Sequence, residues 1–162
     1  MLVNNDVKIT VKHNAFAEVD FENMCQTNIP NYQTITEIPK EHMDYINSVK
    51  YAVNCMDMFN GCEQLTSLDL ASFDTSKVTN MSNMFANCTS LKRITGVLDL
   101  SSCNNVSSCF LYCDNLRSVH LKNVPRSIID DGTSGLGPEG SLLDSGGTLD
   151  ETYVIDNILE DR

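Results

Sequence analysis

Three segments in the middle of this chain repeat one pattern: Met58-Phe59-Asn60-Gly61-Cys62-Glu63-Gln64-Leu65, Met84-Phe85-Ala86-Asn87-Cys88-Thr89-Ser90-Leu91 and Cys109-Phe110-Leu111-Tyr112-Cys113-Asp114-Asn115-Leu116. Phe59, Phe85 and Phe110 stand 26 and 25 residues apart, and the cysteines and leucines keep that step. A fixed step in this range marks a solenoid, in which each repeat is one coil that buries its apolar side only against its neighbours. The expected core is therefore Phe59, Cys62, Leu65, Phe85, Cys88, Leu91, Phe110, Cys113 and Leu116. Buried positions in such a chain answer to the stack, so function is expected on its surface.

The local pattern fills in the coil. Apolar residues approach each Phe at a three-residue step: Cys55 and Met58, then Val78, Met81 and Met84, then Cys103, Val106 and Cys109. That period fits short 3₁₀-like turns along one edge. A strand is expected after each Leu, at Leu68-Asp69-Leu70 and Val119-His120-Leu121. The middle repeat places Ile94-Thr95-Gly96 ahead of Leu98-Asp99-Leu100, an insertion of the kind that maps to a loop. Strand alternation turns the leucines inward and leaves Ser67, Asp69, Arg93, Thr95, Asp99, Arg117, His120 and Lys122 on an outer polar face. This face is the expected binding surface.

The run Leu65-Thr66-Ser67-Leu68-Asp69-Leu70-Ala71-Ser72-Phe73-Asp74-Thr75-Ser76-Lys77-Val78-Thr79-Asn80-Met81-Ser82-Asn83-Met84-Phe85 resembles the BspA-type leucine-rich repeat, and the resemblance spans about residues 52–122. The third repeat departs from it, with Cys109 where Met is usual and Cys103 where Val or Phe is usual. The resemblance implies a curved ladder of coils with a parallel sheet on one side, of the kind found in bacterial surface proteins and in virion proteins of their phages. It implies no particular ligand.

The flanks read differently. Val7, Ile9 and Val11 alternate with polar residues, His13-Asn14 interrupts, and alternation resumes from Ala15 to Phe21, which predicts a β-hairpin. A short extended piece is expected at Thr34–Ile38, and a short helix after Pro39. Between Asp131 and Thr148 lie six of the eight glycines, which is linker chemistry. The last stretch recovers apolar residues at Leu149, Tyr153, Val154, Ile155, Ile158 and Leu159, suited to docking or capping. The expected organisation is an N-terminal β segment over 1–38, a repeat stack over 39–124, a linker over 125–148 and an acidic, apolar C-terminal segment over 149–162. The fold class is an α/β solenoid of about three coils, with a parallel sheet on one face and the hairpin in front.

Charge and chemistry narrow the function. The net charge is -11, of which residues 130–162 carry -8, and Trp is absent. That argues against nucleic acid, which demands clustered cations and stacking aromatics. No apolar run reaches the roughly 20 residues of a bilayer span, and no signal sequence is expected at the N-terminus. Seven cysteines, three at one repeat position, read as reduced core thiols. Paired C-x2-C spacing for zinc is missing. His120 faces outward and Cys113 inward, so no thiol–imidazole pair is expected. The glycine-rich run lacks the ending of a phosphate loop and the ligand pattern of a calcium loop. Asn80-Met81-Ser82, Asn87-Cys88-Thr89 and Asn105-Val106-Ser107 match the glycosylation pattern but read as turns.

The expectation is thus a protein with no catalytic, cofactor or metal residues. It is expected to be a structural or adhesive component of a phage virion (tail, fibre or capsid decoration), outside the cell, displaying its repeat toward a host-surface protein or glycan. Its partners would be other virion proteins or further copies of itself. The alternative is a free bacterial interaction module, cytoplasmic in the absence of a signal, that binds a protein or glycan through the sheet face.

Overall fold

A computed structural model describes residues 17–130 and 153–160. The expected strand at Val7–Val11, the turn at His13-Asn14, the glycine-rich stretch 131–148 and residues 149–152 lie outside the described residues.

Each turn of the chain starts at an Asx residue. Asp20 faces Asn54 in parallel register, and bridges join Asn54 to Asn80 and Asn80 to Asn105. Each side-chain oxygen accepts the N–H two residues on, from Glu22, Met56, Ser82 and Ser107, at 2.8 to 3.1 Å. This is the Asx turn, a local substitute for ladder bonds. Three residues further the backbone bends left-handed, at Asn23, Asp57, Asn83 and Ser108, with φ of 55–56°. Asn and Asp tolerate that region better than other L-residues. A second left-handed residue follows four positions later, at Gly61, Asn87 and Tyr112.

These bends aim alternate N–H groups at the next rung. Phe21, Asn23 and Cys25 donate to the carbonyls of Asn54, Met56 and Met58. Cys55, Asp57, Phe59 and Gly61 donate to Asn80, Ser82, Met84 and Ala86, and Met81, Asn83, Phe85 and Asn87 to Asn105, Ser107, Cys109 and Leu111, all at 2.8 to 3.0 Å. The segment Asp20-Phe21-Glu22-Asn23-Met24-Cys25 is therefore a rung of the same stack, with Cys25 in the Phe position.

Only the end of the second strand of the expected N-terminal hairpin falls among the described residues. There the strand is Val19–Asp20 (β1), and it pairs in parallel with Ala52–Asn54 (β2). Helix Met24–Asn28 (α1) follows directly. Residues 34–38 form turns and bends, not a strand. The helix expected after Pro39 is present as Lys40–Ser48 (α2), with Ile46 buried and the Asn47 amide donating to the Asp69 carbonyl at 3.0 Å.

On the other side of the stack, Ser67–Asp69 (β3) pairs in parallel with Arg93–Thr95 (β4). Val97–Asp99 (β5) pairs with Val119–Lys122 (β6), and β6 with Tyr153–Ile155 (β8). Val124–Pro125 (β7) pairs with Ile158–Leu159 (β9). Gly96 separates β4 from β5 at φ +107°, and a Cβ there would lie 2.7 Å from the Leu70 carbonyl oxygen. Only glycine allows that close approach. The expected linker is ordered where it begins, since Pro125 closes β7 and Arg126–Asp130 is a helix (α3).

The core is a set of columns along the stack. Phe59, Phe85 and Phe110 lie ring on ring, with centroids 5.6 and 5.1 Å apart and planes within 11°. Tyr153 covers the last ring at 5.8 Å. Of the nine expected core residues eight are buried, and Leu116 is half-buried at the end rung.

Candidate functional site

The outer face of β3–β6 carries seven of the eight expected binding residues, Arg117 lies two residues ahead of β6, and the structure sorts the eight into two halves. Strand alternation does place them outward, since Leu68, Ile94, Leu98, Val119 and Leu121 are buried between them.

In one half Asp69, Asp99 and His120 are each held by hydrogen bonds within the fold. His120 Nε2 lies 2.6 Å from the Asp156 carboxylate on the turn after β8. Asp99 and Lys122 are register partners. The Asp99 carboxylate also accepts the Ser101 N–H at 2.9 Å and the Asn123 amide at 3.2 Å. Burial raises its affinity for a proton, but the Ser101 and Asn123 hydrogen bonds and Lys122 outweigh that and hold the group below its ordinary pKa. Asn157 in turn donates to Asn123 at 2.7 Å, so a short side-chain ladder ties the last strands on. Asp69 has a similar duty, taking the Ala71 N–H at 3.1 Å. Asp69, Asp99 and His120 thus serve the fold.

The other half is unmatched. Ser67 and Arg93 are register partners. Lys92 N donates to the Thr66 carbonyl at 2.9 Å, and Arg117 N donates to the Lys92 carbonyl at 3.2 Å, which sets Lys92 and Arg117 on adjacent rungs. Lys92, Arg93 and Arg117 are all exposed. Among the described residues no carboxylate forms an ion pair with any of them. Lys92 was not among the expected site residues, because period-two alternation assigns it to the wrong side. Its exposure comes from its place at the mouth of the strand, before the pleat begins.

The thiols offer no reactive centre. All seven are buried, and none is in a disulfide. Cys88 donates to the Phe59 carbonyl at 3.2 Å and Cys113 to that of Phe85 at 3.0 Å, each bonding back to the preceding rung. Burial raises the pKa of Cys55, Cys88, Cys109 and Cys113, the last to about 12. Cys25 is raised chiefly by its hydrogen bond with Cys62. Thiols held this firmly in the neutral form are poor nucleophiles and poor ligands. Among the described residues no three His, Cys, Asp or Glu side chains converge to hold a metal ion, and no helix is long and apolar enough to cross a membrane.

A family model described as "Mycoplasma protein of unknown function, DUF285" matches residues 12–123, more than half of the chain, and the chain belongs to that family. The matched span starts ahead of Asp20, so it takes in the first rung as well as the three evident repeats. No curated protein and no solved structure matches the chain.

Proposed function

We propose that this member of the family is a non-enzymatic interaction module, a short leucine-rich-repeat solenoid of BspA type that binds a protein or glycan through its sheet face. The observation that carries this reading is the division of labour across β3–β6. The inner side chains build the core, while the exposed Ser67, Lys92, Arg93, Thr95 and Arg117 side chains form no ion pair among the described residues. A row of outward side chains at fixed rung spacing is how stacked repeats present a binding surface.

Placement in a phage virion rests on the repeat resemblance alone, and nothing in the geometry adds to it. The family description refers to Mycoplasma proteins. The free module is therefore the reading taken forward, with display on a larger particle as a setting in which the same face would work.

The test is a steric block that leaves charge unchanged. Purified protein is assayed for adherence to immobilised cell surfaces of candidate partner organisms, beside a Ser67→Tyr, Thr95→Tyr double variant. Adherence lost in the variant, with its melting temperature intact, supports the face. Adherence unchanged by the two rings would transfer the function elsewhere on the molecule.

A further inference from the structure

We infer that the half-face formed by Lys92, Arg93 and Arg117 is an anion-binding site for an acidic polysaccharide, one carrying carboxylate or sulfate groups along its length. This rests on the sheet-face reading and gives it a ligand class.

Three observations carry it. Lys92 and Arg117 occupy neighbouring rungs, joined by the 3.2 Å main-chain bond, and Arg93 adjoins Lys92 in sequence. Adjacent rungs are about 4.8 Å apart, and like charges set side by side at that spacing destabilise a sheet. A protein with net charge -11 has carboxylates in excess, yet among the described residues none forms an ion pair with these cations; Asp69 shares the face, diagonal to Arg93, but its carboxylate takes the Ala71 N–H. Glu63 and Asp114, on the turns leading into these strands, form no ion pair with the three cations. Elsewhere among the described residues Lys40 pairs with Asp44 and Arg126 with Glu160, whereas Lys50 and Lys77 lie near Asp74 without forming an ion pair. Lys92, Arg93 and Arg117 stand apart in being three exposed cations close together.

The surroundings select the class of anion. Ser67 and Thr95 add hydroxyls beside the cations, and both are exposed. Among the described residues the exposed large hydrophobic ones are Tyr112 and Val154, neither on β3 or β4. With no aromatic platform the site cannot stack bases. With no apolar anchor it lacks the hot spot that a protein partner needs. Cations spaced along an open ridge and interleaved with hydroxyls suit a polar polymer whose charge repeats, held by several shallow contacts.

The experiment is calorimetric titration of the whole chain with a heparin-derived hexasaccharide and a polygalacturonate hexamer. Neutral dextran, a glutamate hexapeptide and a thymidine hexanucleotide serve as comparisons. The expected result is binding of at least one acidic hexasaccharide and none of dextran, weakening as ionic strength rises. The Lys92→Gln, Arg93→Gln, Arg117→Gln variant should lose affinity at least about tenfold while melting no lower than the parent, since it relieves repulsion. A Lys40→Gln, Lys50→Gln, Lys77→Gln control should bind as the parent does. Equal binding by the triple variant, tighter binding of the peptide or nucleotide, or no binding of either acidic glycan would each overturn the proposal. If that happens while the tyrosine block still abolishes adherence, the face stands and only the anionic class falls.

Discussion

Rings that recur every 25 or 26 residues end 5.1 and 5.6 Å apart because the rungs beneath them are joined by main-chain hydrogen bonds. The backbone sets the spacing at about 4.8 Å, and the rings slide slightly to reach an offset stack. Phe85 has a ring on both sides and no exposure. Phe85→Ala is expected to destabilise the fold by about 3–5 kcal/mol, and Phe85→Leu by about 1.5 kcal/mol. Urea midpoints with unchanged slope would read both, and equal costs for the two variants would refute a packed column. The thiols give a second residue-scale expectation. Cys113 moves from 9.0 to about 12 on folding, and Cys55, Cys88 and Cys109 move in the same direction by burial. The folded state therefore holds protons that the unfolded state releases above pH 9. The stability from this source is complete below that pH and is lost as pH rises toward 12, by about 1.4 kcal/mol per pH unit for each thiol. Urea midpoints taken from pH 8 to 11 should fall, and a flat profile would mean that the thiols are not buried as neutral groups.

The end of the stack is closed by short elements, and their members are unequal. Tyr153 of β8 is buried against Phe110, whereas Arg126 and Glu160 form a forked pair at 3.0 and 2.6 Å with both side chains 41–55% exposed. Tyr153→Ala is expected to cost about 3 kcal/mol, and Arg126→Ala within about 1 kcal/mol, since an exposed pair is screened. Thermal melts of the two variants would separate apolar sealing from charge pairing. The same elements mark the limits of what the sequence disclosed. The three Phe-Cys-Leu units were legible because their step is nearly constant and each position keeps its residue type. The rung Asp20–Cys25 was hidden because Cys25 replaces the Phe, and Asn54 lies 34 residues beyond Asp20 instead of 25 or 26. Alternation from Ala15 to Phe21 reads as a strand and gives no sign of the rung that Phe21, Asn23 and Cys25 build. A signal was present in the Asn-x-x-Asn/Asp/Ser-Met/Cys run, which begins each rung and reads Asp20-Phe21-Glu22-Asn23-Met24 in the first. The outward face was legible from period two. That Asp69 and Asp99 hold turns, and that Lys92 joins the cations, follows from hydrogen bonds that a linear pattern does not contain.

Among the described residues each rung bonds to the rungs before and after it, a nearly one-dimensional arrangement. Stability in such a chain is a sum of rung and interface terms, so opening starts at the ends. The two ends are not alike. At the first rung, Phe21 packs edge-on against Tyr45 and Phe73 at 5.9 and 5.8 Å, and the Gln26 amide donates to the Asn60 carbonyl at 2.9 Å. At the last rung, the positions equivalent to Met81, Asn83, Phe85 and Asn87 are Val106, Ser108, Phe110 and Tyr112. Among the described residues no acceptor meets their N–H groups. Exposure follows the same gradient: Ser82 and Leu91 are buried, whereas Ser107 is exposed and Leu116 half-buried. Amide exchange should therefore be slowest at Asp57, Phe59, Asn83 and Phe85, whose N–H groups bond across the middle of the stack. It should be fastest at Ser108 and Tyr112, with Asn23 between them. Uniform protection across all rungs would instead require the stack to open as a single cooperative unit. Slower exchange at Ser108 than at Asn83 would mean that the growing end of the ladder carries a further rung.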